Sequence, residues 1–554
     1  MHILILVLVT ALPAAIRATQ AAFQSDAQWS DLSASPSPNA TGHLIFDTVS
    51  SLLQHWPNTR YRNGHNIVPG TVPVGTLLYH GRKNSSVPAI PEWTSLDPEH
   101  SYHFCGSSPT NGGDPAGCWQ LTFVATRPLK VLYFDGSSAA NMRGADAGTL
   151  DAQDLLVWGE VDPDRWLEER ARINAMCDWG REFGIEGYVR MEMDFEVMLC
   201  DFTAGVELLA ADFLAAWHRR FITPPVVPTD RNKHVAEILR LEVVRAGSWH
   251  NAYPGDTRVA LDLTRLVSFY DPALAPSLVA HRAGAPRWTH RVQNISHTDL
   301  AAVRARLRTV LAQSGSASGL DWRTLFRGVT DRYAERLELL AHLLNATETP
   351  ARTTAALVQT QLRVMLTPYI LHSARPGTQA AVDDAWAAPV WRVCATRHTA
   401  HIHAPAVRAW LTASEALLLG ALDDTGREIC RAVVRMWVRG VSAGLDELLP
   451  PGDEHVDVLA SDGDRTADIA RLVEDWRAET RALMAWLDWG VWVKCRPACG
   501  VEEMCYLPTW PYFWGWGFAP RDPDGDEDEE TRGRDVWLRP QPRCIRVVEP
   551  YSTL

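Results

Sequence analysis

The spacing of apolar residues changes near Ala204, and no single-layer fold accommodates both patterns. Before that point, Gly75 to His80, Trp119 to Thr126 and Leu129 to Phe134 are short, β-branched or aromatic runs bounded by Gly or Pro, which predicts strands. Beyond it, "AGVELLAADFLAAWHRRF", "DLAAVRARLRTVLAQ", "WRTLFRGVTDRYAERLELLAHLL", "TAALVQTQLRVMLTPYIL", "RAWLTASEALLLGAL", "REICRAVVRMWVRGV" and "DIARLVEDWRAETRALMAWLDWG" place apolar residues three and four apart, which predicts helices. The expected class is α+β: a mixed β core over residues 43–204, then a long all-α region over 205–490. No fixed-period repeat runs through the helical part, so a solenoid is not supported. At 554 residues, two or three domains are expected. In the first region "DPDRWLEERARINAMCDWGREF" predicts one helix, capped by Asp162, with Pro163 in its first turn and Gly184 closing it.

Residues 491–554 change character again. Cys495, Cys499, Cys505 and Cys544 frame a stretch with little helix-forming sequence, which suggests a small C-terminal lobe stapled by two disulfides of unspecified connectivity. Cys105 and Cys118, across a Gly-rich segment, form a plausible local pair. The ten cysteines suit an oxidising compartment, and two further features agree. Residues 1–20 hold an apolar run from Ile3 to Leu12 followed by small residues, the pattern of a signal peptide, and residues 21–42 form a Ser/Pro/Ala-rich lead-in. Four N-x-S/T triplets, at Asn39, Asn84, Asn294 and Asn345, offer glycosylation sites. The expectation is a secreted glycoprotein with no membrane span. Its net charge of −13 disfavours a general nucleic-acid partner, because phosphate neutralisation needs a basic face.

Chemistry concentrates in "RMEMDFEVMLCDF", Arg190 to Phe202. Taken as one strand, Met191, Met193, Phe195, Val197 and Leu199 fall on one side, and Glu192, Asp194 and Glu196 on the other. Neighbouring carboxylates on that side would stand roughly 6.5–7 Å apart, two strand rises. Two readings stay open: an edge strand whose charges block aggregation, or carboxylates at the lip of a site.

The segment "LLYHGR", a Thr94-Ser95 step into a helix carrying Tyr102 and Phe104, and the later strand bearing Glu196 together resemble the ADP-ribosyltransferase superfamily. The resemblance spans Gly75 to Phe202. It implies that His80 bonds a ribose hydroxyl and that the Gly81 backbone holds the nicotinamide amide, with Arg82 beside them. It further implies that Thr94, Ser95 or Tyr102 flank the nicotinamide, and that Glu196 grips the reacting ribose. Asp194, first member of an E-x-E-type pair, would orient or deprotonate an acceptor. NAD would be the substrate, no metal would be needed, and the acceptor would be a protein or small molecule. As a whole the chain also resembles uncharacterised secreted fungal proteins. The alternative function is a non-catalytic secreted binding protein, since a fold can persist without its chemistry.

Other clusters carry less. His398, His401 and His403 are close in sequence, but no Cys or carboxylate pattern completes a zinc site. Asp522, Asp524 and Asp526 alternate as in a calcium loop, yet Glu527 replaces the needed Gly, leaving a solvated acidic linker. Trp510, Trp514 and Trp516 read as the core of the stapled lobe or a stacking platform. No G-x-S-x-G, H-E-x-x-H, P-loop or G-x-G-x-x-G motif is present.

Overall fold

The computed structural model describes residues 29, 31–104, 117–142, 148–215, 241–313, 317–374, 384–446, 462–509 and 538–548. The expected signal peptide, Cys105, the Trp510 to Trp516 stretch and the Asp522 to Glu527 stretch lie outside these residues. Two compact units emerge, as far as they are described. One is Met1–Pro36, Glu335–Trp410 and Asp423–Ala485; the other is Ser37–Ala334, Leu411–Leu422 and Trp486–Leu554.

The second unit is built on a mixed sheet. After α1 (Gly42–Ser50) and α2 (Trp56–Thr59) come β1 (Asn66–Val72), β2 (Leu77–Arg82), β3 (Glu92–Ser95), α3 (Pro98–Phe104), β4 (Gly117–Ala125) and β5 (Leu129–Phe134). There follow α4 (Asp151–Val157), α5 (Glu169–Arg181), β6 (Gly187–Met191), β7 (Phe195–Leu199), β8 (Val206–Ala215), β9 (Ala260–Leu261) and β10 (Val267–Ser268). The strands lie in the order β10-β1-β5-β6-β7-β3-β2-β4-β8, with β9 also on β1. Among the described strands of this sheet only β5 and β6 run parallel; the other pairs are antiparallel. The α+β class expected from the sequence is the class observed.

Helices α6 (Pro276–Arg282) and α7 (His297–Ala312) join α4 and α5 on one face of this sheet. Leu132, Phe134, Tyr188 and Met198 of the strands pack there against Leu155, Ile173, Met176, Leu278 and Leu307, all nearly solvent-free. Each such side chain contributes about 1.5–3 kcal/mol on burial, so this layer fixes the sheet to its helices. A disulfide from Cys177 on α5 to Cys200, the residue after β7, reinforces the same seam.

Three local expectations are corrected. The 162–183 segment is not one helix: Asp162 caps a short 3₁₀ turn by accepting from the Asp164 amide, and α5 begins only at Glu169. Gly184, at φ +66°, still ends it. "AGVELLAADFLA" is strand β8 rather than helix, because nine residues of it pair with β4. That pairing overrides a Leu/Ala-rich composition. "RMEMDFEVML" is not one strand but the hairpin β6–β7, with Arg190 opposite Glu196 and Met191 opposite Phe195. Its turn at residues 192–194 breaks the single carboxylate face.

The remaining helical patterns appear as α8 (Trp322–Asn345), α9 (Ala351–Leu366), α10 (Ala388–Thr396), α11 (Pro405–Arg408), α12 (Ala413–Ser442) and α13 (Asp462–Leu487). In the first unit, Cys394 on α10 is bonded to Cys430 on α12, a pairing the sequence did not signal. The Trp29 and Trp391 rings there meet edge to face at 5.0 Å. His403 is hydrogen-bonded to Asp423 at 2.7 Å, and Thr399 donates to the same carboxylate, so the histidine-rich segment serves a local polar network. In the stapled tail, β11 (Glu503–Tyr506) pairs with β12 (Arg543–Arg546), and the disulfides are Cys495–Cys505 and Cys499–Cys544. All four N-x-S/T asparagines are exposed. Among the described residues no helix is long and apolar enough to cross a membrane.

Candidate functional site

The sheet order places β7, β3 and β2 side by side. In register, Glu196 stands opposite Ser95, and Ser95 stands opposite Tyr79. Hence two segments close in the chain, β2 and β3, and a third about a hundred residues further on, β7, come to one small cavity. His80, Gly81, Thr94, Ser95 and Glu196 all line it, together with Trp93 and the α3 residues His100 and Phe104. The space is about 10 Å³, room for about one water.

The side chains around it are held tightly. The His80 ring bonds through Nδ1 to the Trp93 carbonyl at 2.8 Å, and its Nε2 lies 3.1 Å from Glu92. That hydrogen bond to His80 is the main reason Glu92 sits below the usual carboxylate range. Thr94 donates to the Val197 carbonyl across the strand pair, and Ser95 to the Asp97 carbonyl, both at 2.8 Å. Trp93 and Phe104 face each other with ring centres 6.3 Å apart and planes inclined at 68°. Arg170, at the α5 start, lies over the Trp93 ring and 3.6 Å from Glu92.

Beneath the cavity runs a buried ion-pair ladder. Arg190 donates to Glu196 at 2.7 Å, to Gln153 at 3.1 Å and to Glu169. Arg172 continues the ladder, donating to Glu169 at 2.9 Å and to Asp154 at 2.6 Å. Burial pushes the Glu196 carboxyl up; Arg190 opposes the rise and Glu169 adds to it. Burial acts the same way on Glu169, but Arg190 and Arg172 outweigh it and keep that group below its ordinary range. Glu192, in the hairpin turn, keeps some solvent contact, yet its protein surroundings and then repulsion from Glu196 push it up to about 8. The result is one fixed, incompletely neutralised carboxylate facing the cavity.

Three of the residues expected at the site are not brought to it. Asp194 is fully buried in the hairpin turn, facing Asp97 rather than Glu196. Burial first, then the charge and hydrogen bond of Asp97, raises it well above its ordinary value. Burial pushes Asp97 the same way, but hydrogen bonds from His250, Arg258 and Asp194 hold it well below the usual range. Asp97, Asp194 and His250 are close enough to suggest a cation site, but the Arg258 guanidinium fills that role. It lies 2.6 Å from Asp97, 2.8 Å from Asp256 and 3.1 Å from His250. Arg82 bonds the Ser86 carbonyl and shapes the β2–β3 loop. Tyr102, on α3, does not line the cavity. Phe104 belongs to the helix named in the resemblance, whereas nothing in the sequence marks Trp93 or Arg190 as a site residue, although Trp93 directly precedes Thr94.

Residues 37–118 and 116–229 match the family described as the YPL277C N-terminal domain. The chain is 24% identical over 547 residues to the Saccharomyces cerevisiae (strain ATCC 204508 / S288c) protein YOR389W, described as uncharacterized, covering 84% of this chain and 81% of that one. It is 33% identical over 209 residues to YPL277C of the same yeast, also described as uncharacterized, covering 30% of this chain and 42% of that protein. No solved structure matches.

Proposed function

We propose that the β2–β3–β7 cavity binds the nicotinamide end of NAD and that the protein is a secreted ADP-ribosyltransferase or NAD glycohydrolase. The observation that carries this reading is the adjacency of β7, β3 and β2, which sets Glu196, Ser95 and the His80-Gly81 pair around one space. It supports the resemblance to the ADP-ribosyltransferase superfamily. The flat Trp93 and Phe104 rings suit a planar heteroaromatic amide. Arg170, paired with Glu92 at the rim, suits a pyrophosphate.

In the reaction, nicotinamide leaves with the bonding electron pair, and positive charge builds on the ribose. Glu196 stabilises that charge as carboxylates do in glycoside hydrolysis. Water or another nucleophile then bonds to the anomeric carbon and gives up its proton to solvent. Asp194, turned toward Asp97, supports the fold of the hairpin rather than the acceptor. Entry of a dinucleotide requires Glu92, Arg170 or Phe104 to move, because the space holds about one water. The exposed N-x-S/T sites, the cysteine pairs and the expected leader support an extracellular location.

A second reading, a non-catalytic binding protein on the same fold, is favoured by one observation: His80 and Glu196 are already paired within the protein. Nicotinamide release by the full chain distinguishes the two. The wild type is expected to release nicotinamide, and Glu196→Gln to lose on the order of 100-fold or more of that rate with its fold intact by circular dichroism. Equal release by both forms, or none by either, removes the enzymatic reading.

A further inference from the structure

The stapled tail carries two disulfides, Cys495–Cys505 and Cys499–Cys544, and their sulfurs crowd together. Those of Cys495, Cys499 and Cys505 all lie within 4.8 Å of one another. The Cys499 sulfur of one bond therefore stands beside both sulfurs of the other, a gap that side-chain rotation can close. All four cysteines are half-buried, which leaves them within reach of a dissolved reagent. Cys495, Cys499 and Cys505 also line a second cavity of the same unit, of about 500 Å³, which shares no lining residue with the first.

Two further contacts give exchange a direction. The Cys495 amide donates to the Cys505 sulfur at 3.1 Å. A disulfide sulfur is a weak acceptor, whereas a thiolate carries charge and accepts strongly. Opening the Cys495–Cys505 bond thus leaves its negative charge best placed on Cys505. In addition, Cys505 stands opposite Cys544 in the β11–β12 pair. Residues so placed have Cα atoms roughly 4.5–5.5 Å apart, inside the range of about 4.4–6.8 Å that a disulfide accepts. A released Cys505 has its next partner directly across the ladder.

We propose that the tail is a thiol–disulfide exchange site that takes a small aliphatic thiol and interconverts two pairings. One is the observed pairing; the other joins Cys495 to Cys499 and Cys505 to Cys544. The small thiolate attacks the Cys544 sulfur, forming a mixed disulfide and expelling the Cys499 thiolate. Cys499 then attacks Cys495, forming their bond and expelling the Cys505 thiolate. Finally Cys505 attacks the mixed disulfide at Cys544, forming the cross-strand bond and returning the small thiolate. Each step breaks one S–S bond and forms one, so no oxidant is consumed and the thiol is regenerated. None of this depends on what the β2–β3–β7 cavity binds.

The test is peptide mapping of full-length Cys544→Ser, in which Cys499 keeps a free thiol. The folded protein is pulse-labelled with N-ethylmaleimide at neutral pH and quenched in acid. Label on Cys505, with a Cys495–Cys499 bond in the same molecules, is expected within about tenfold of the label on Cys499, as for an exchange constant near unity. Label on Cys499 alone, a smaller share on Cys505, or label on Cys495 in place of Cys505 overturns the proposal. Should that variant not fold, the wild type decides, incubated with reduced glutathione, alkylated and mapped. Cys495–Cys499 and Cys505–Cys544 are expected to appear while Cys177–Cys200 and Cys394–Cys430 persist. Recovery of the original tail pairs alone, or scrambling of all pairs together, ends the proposal.

Discussion

The two cavities of the sheet unit differ in what their polar groups already have. Around the small one, His80, Thr94, Ser95 and Glu196 are each hydrogen-bonded within the protein, and an ion-pair ladder runs underneath. The large one is roomier, and Leu52, Phe326 and Val491 are among its mainly apolar walls. The first is held by a polar scaffold of strand partners, whereas the second is bounded mostly by side chains that offer no hydrogen bond. Sequence motifs point to the former only.

The largest effect expected from breaking this contrast is kinetic. Glu196→Gln should cost nicotinamide release on the order of 100-fold. Next is stability. Arg190→Met leaves Glu196 and Glu169 buried without their shared cation and should cost about 3–5 kcal/mol in urea unfolding. Arg327→Gln, which breaks the largely exposed pair with Asp331 beside the large cavity, should cost less than about 1 kcal/mol. A similar loss in both variants would erase the distinction between a buried and an exposed ion pair.

Removing the Cys177–Cys200 bond, which closes a separation of 23 residues, should cost roughly 3 kcal/mol by the loop-entropy model. Unfolding of Cys177→Ser/Cys200→Ser measures it. A smaller effect is a pH slope. Glu192 is pushed up to about 8 by burial and Glu196. The folded state therefore holds a proton that the unfolded chain releases near pH 4.3. This contribution is fully present below that pH and is lost as pH rises through about 8. Glu192→Gln should flatten the difference in urea midpoint between pH 5 and pH 8 relative to wild type. The least effect belongs to Glu92→Gln, which frees the rim side of His80. It should cost less than about 1 kcal/mol of stability.

Much of the site's chain was legible because strands announce themselves through β-branched and aromatic residues. Leu129–Phe134 was read to the residue, and the His80-Gly81 and Thr94-Ser95 segments fell on neighbouring strands. The hairpin at Glu192 to Asp194 was not legible, since its turn contains no Gly, Pro or Asn and its alternation continues smoothly across it. Parity then misassigned Asp194, which the turn rotates toward Asp97. Strand β8 was hidden by Leu and Ala, whose helical preference yields to nine paired residues of β4. The cysteines of the tail were recognised by their crowding. Cys177 and Cys200 were not, because an apolar helix position and a strand end carry no such signal.

The bond between Cys177 and Cys200 joins the helix that supplies Glu169 to the strand that supplies Glu196, the two acids that grip Arg190 from either side. A freshly made, still reduced chain has to align those acids through noncovalent forces alone. Oxidation then acts as a clasp, fastening the charged rungs in place after folding has set them. The maturation of this seam is thus coupled to the thiol chemistry of the compartment in which the chain folds.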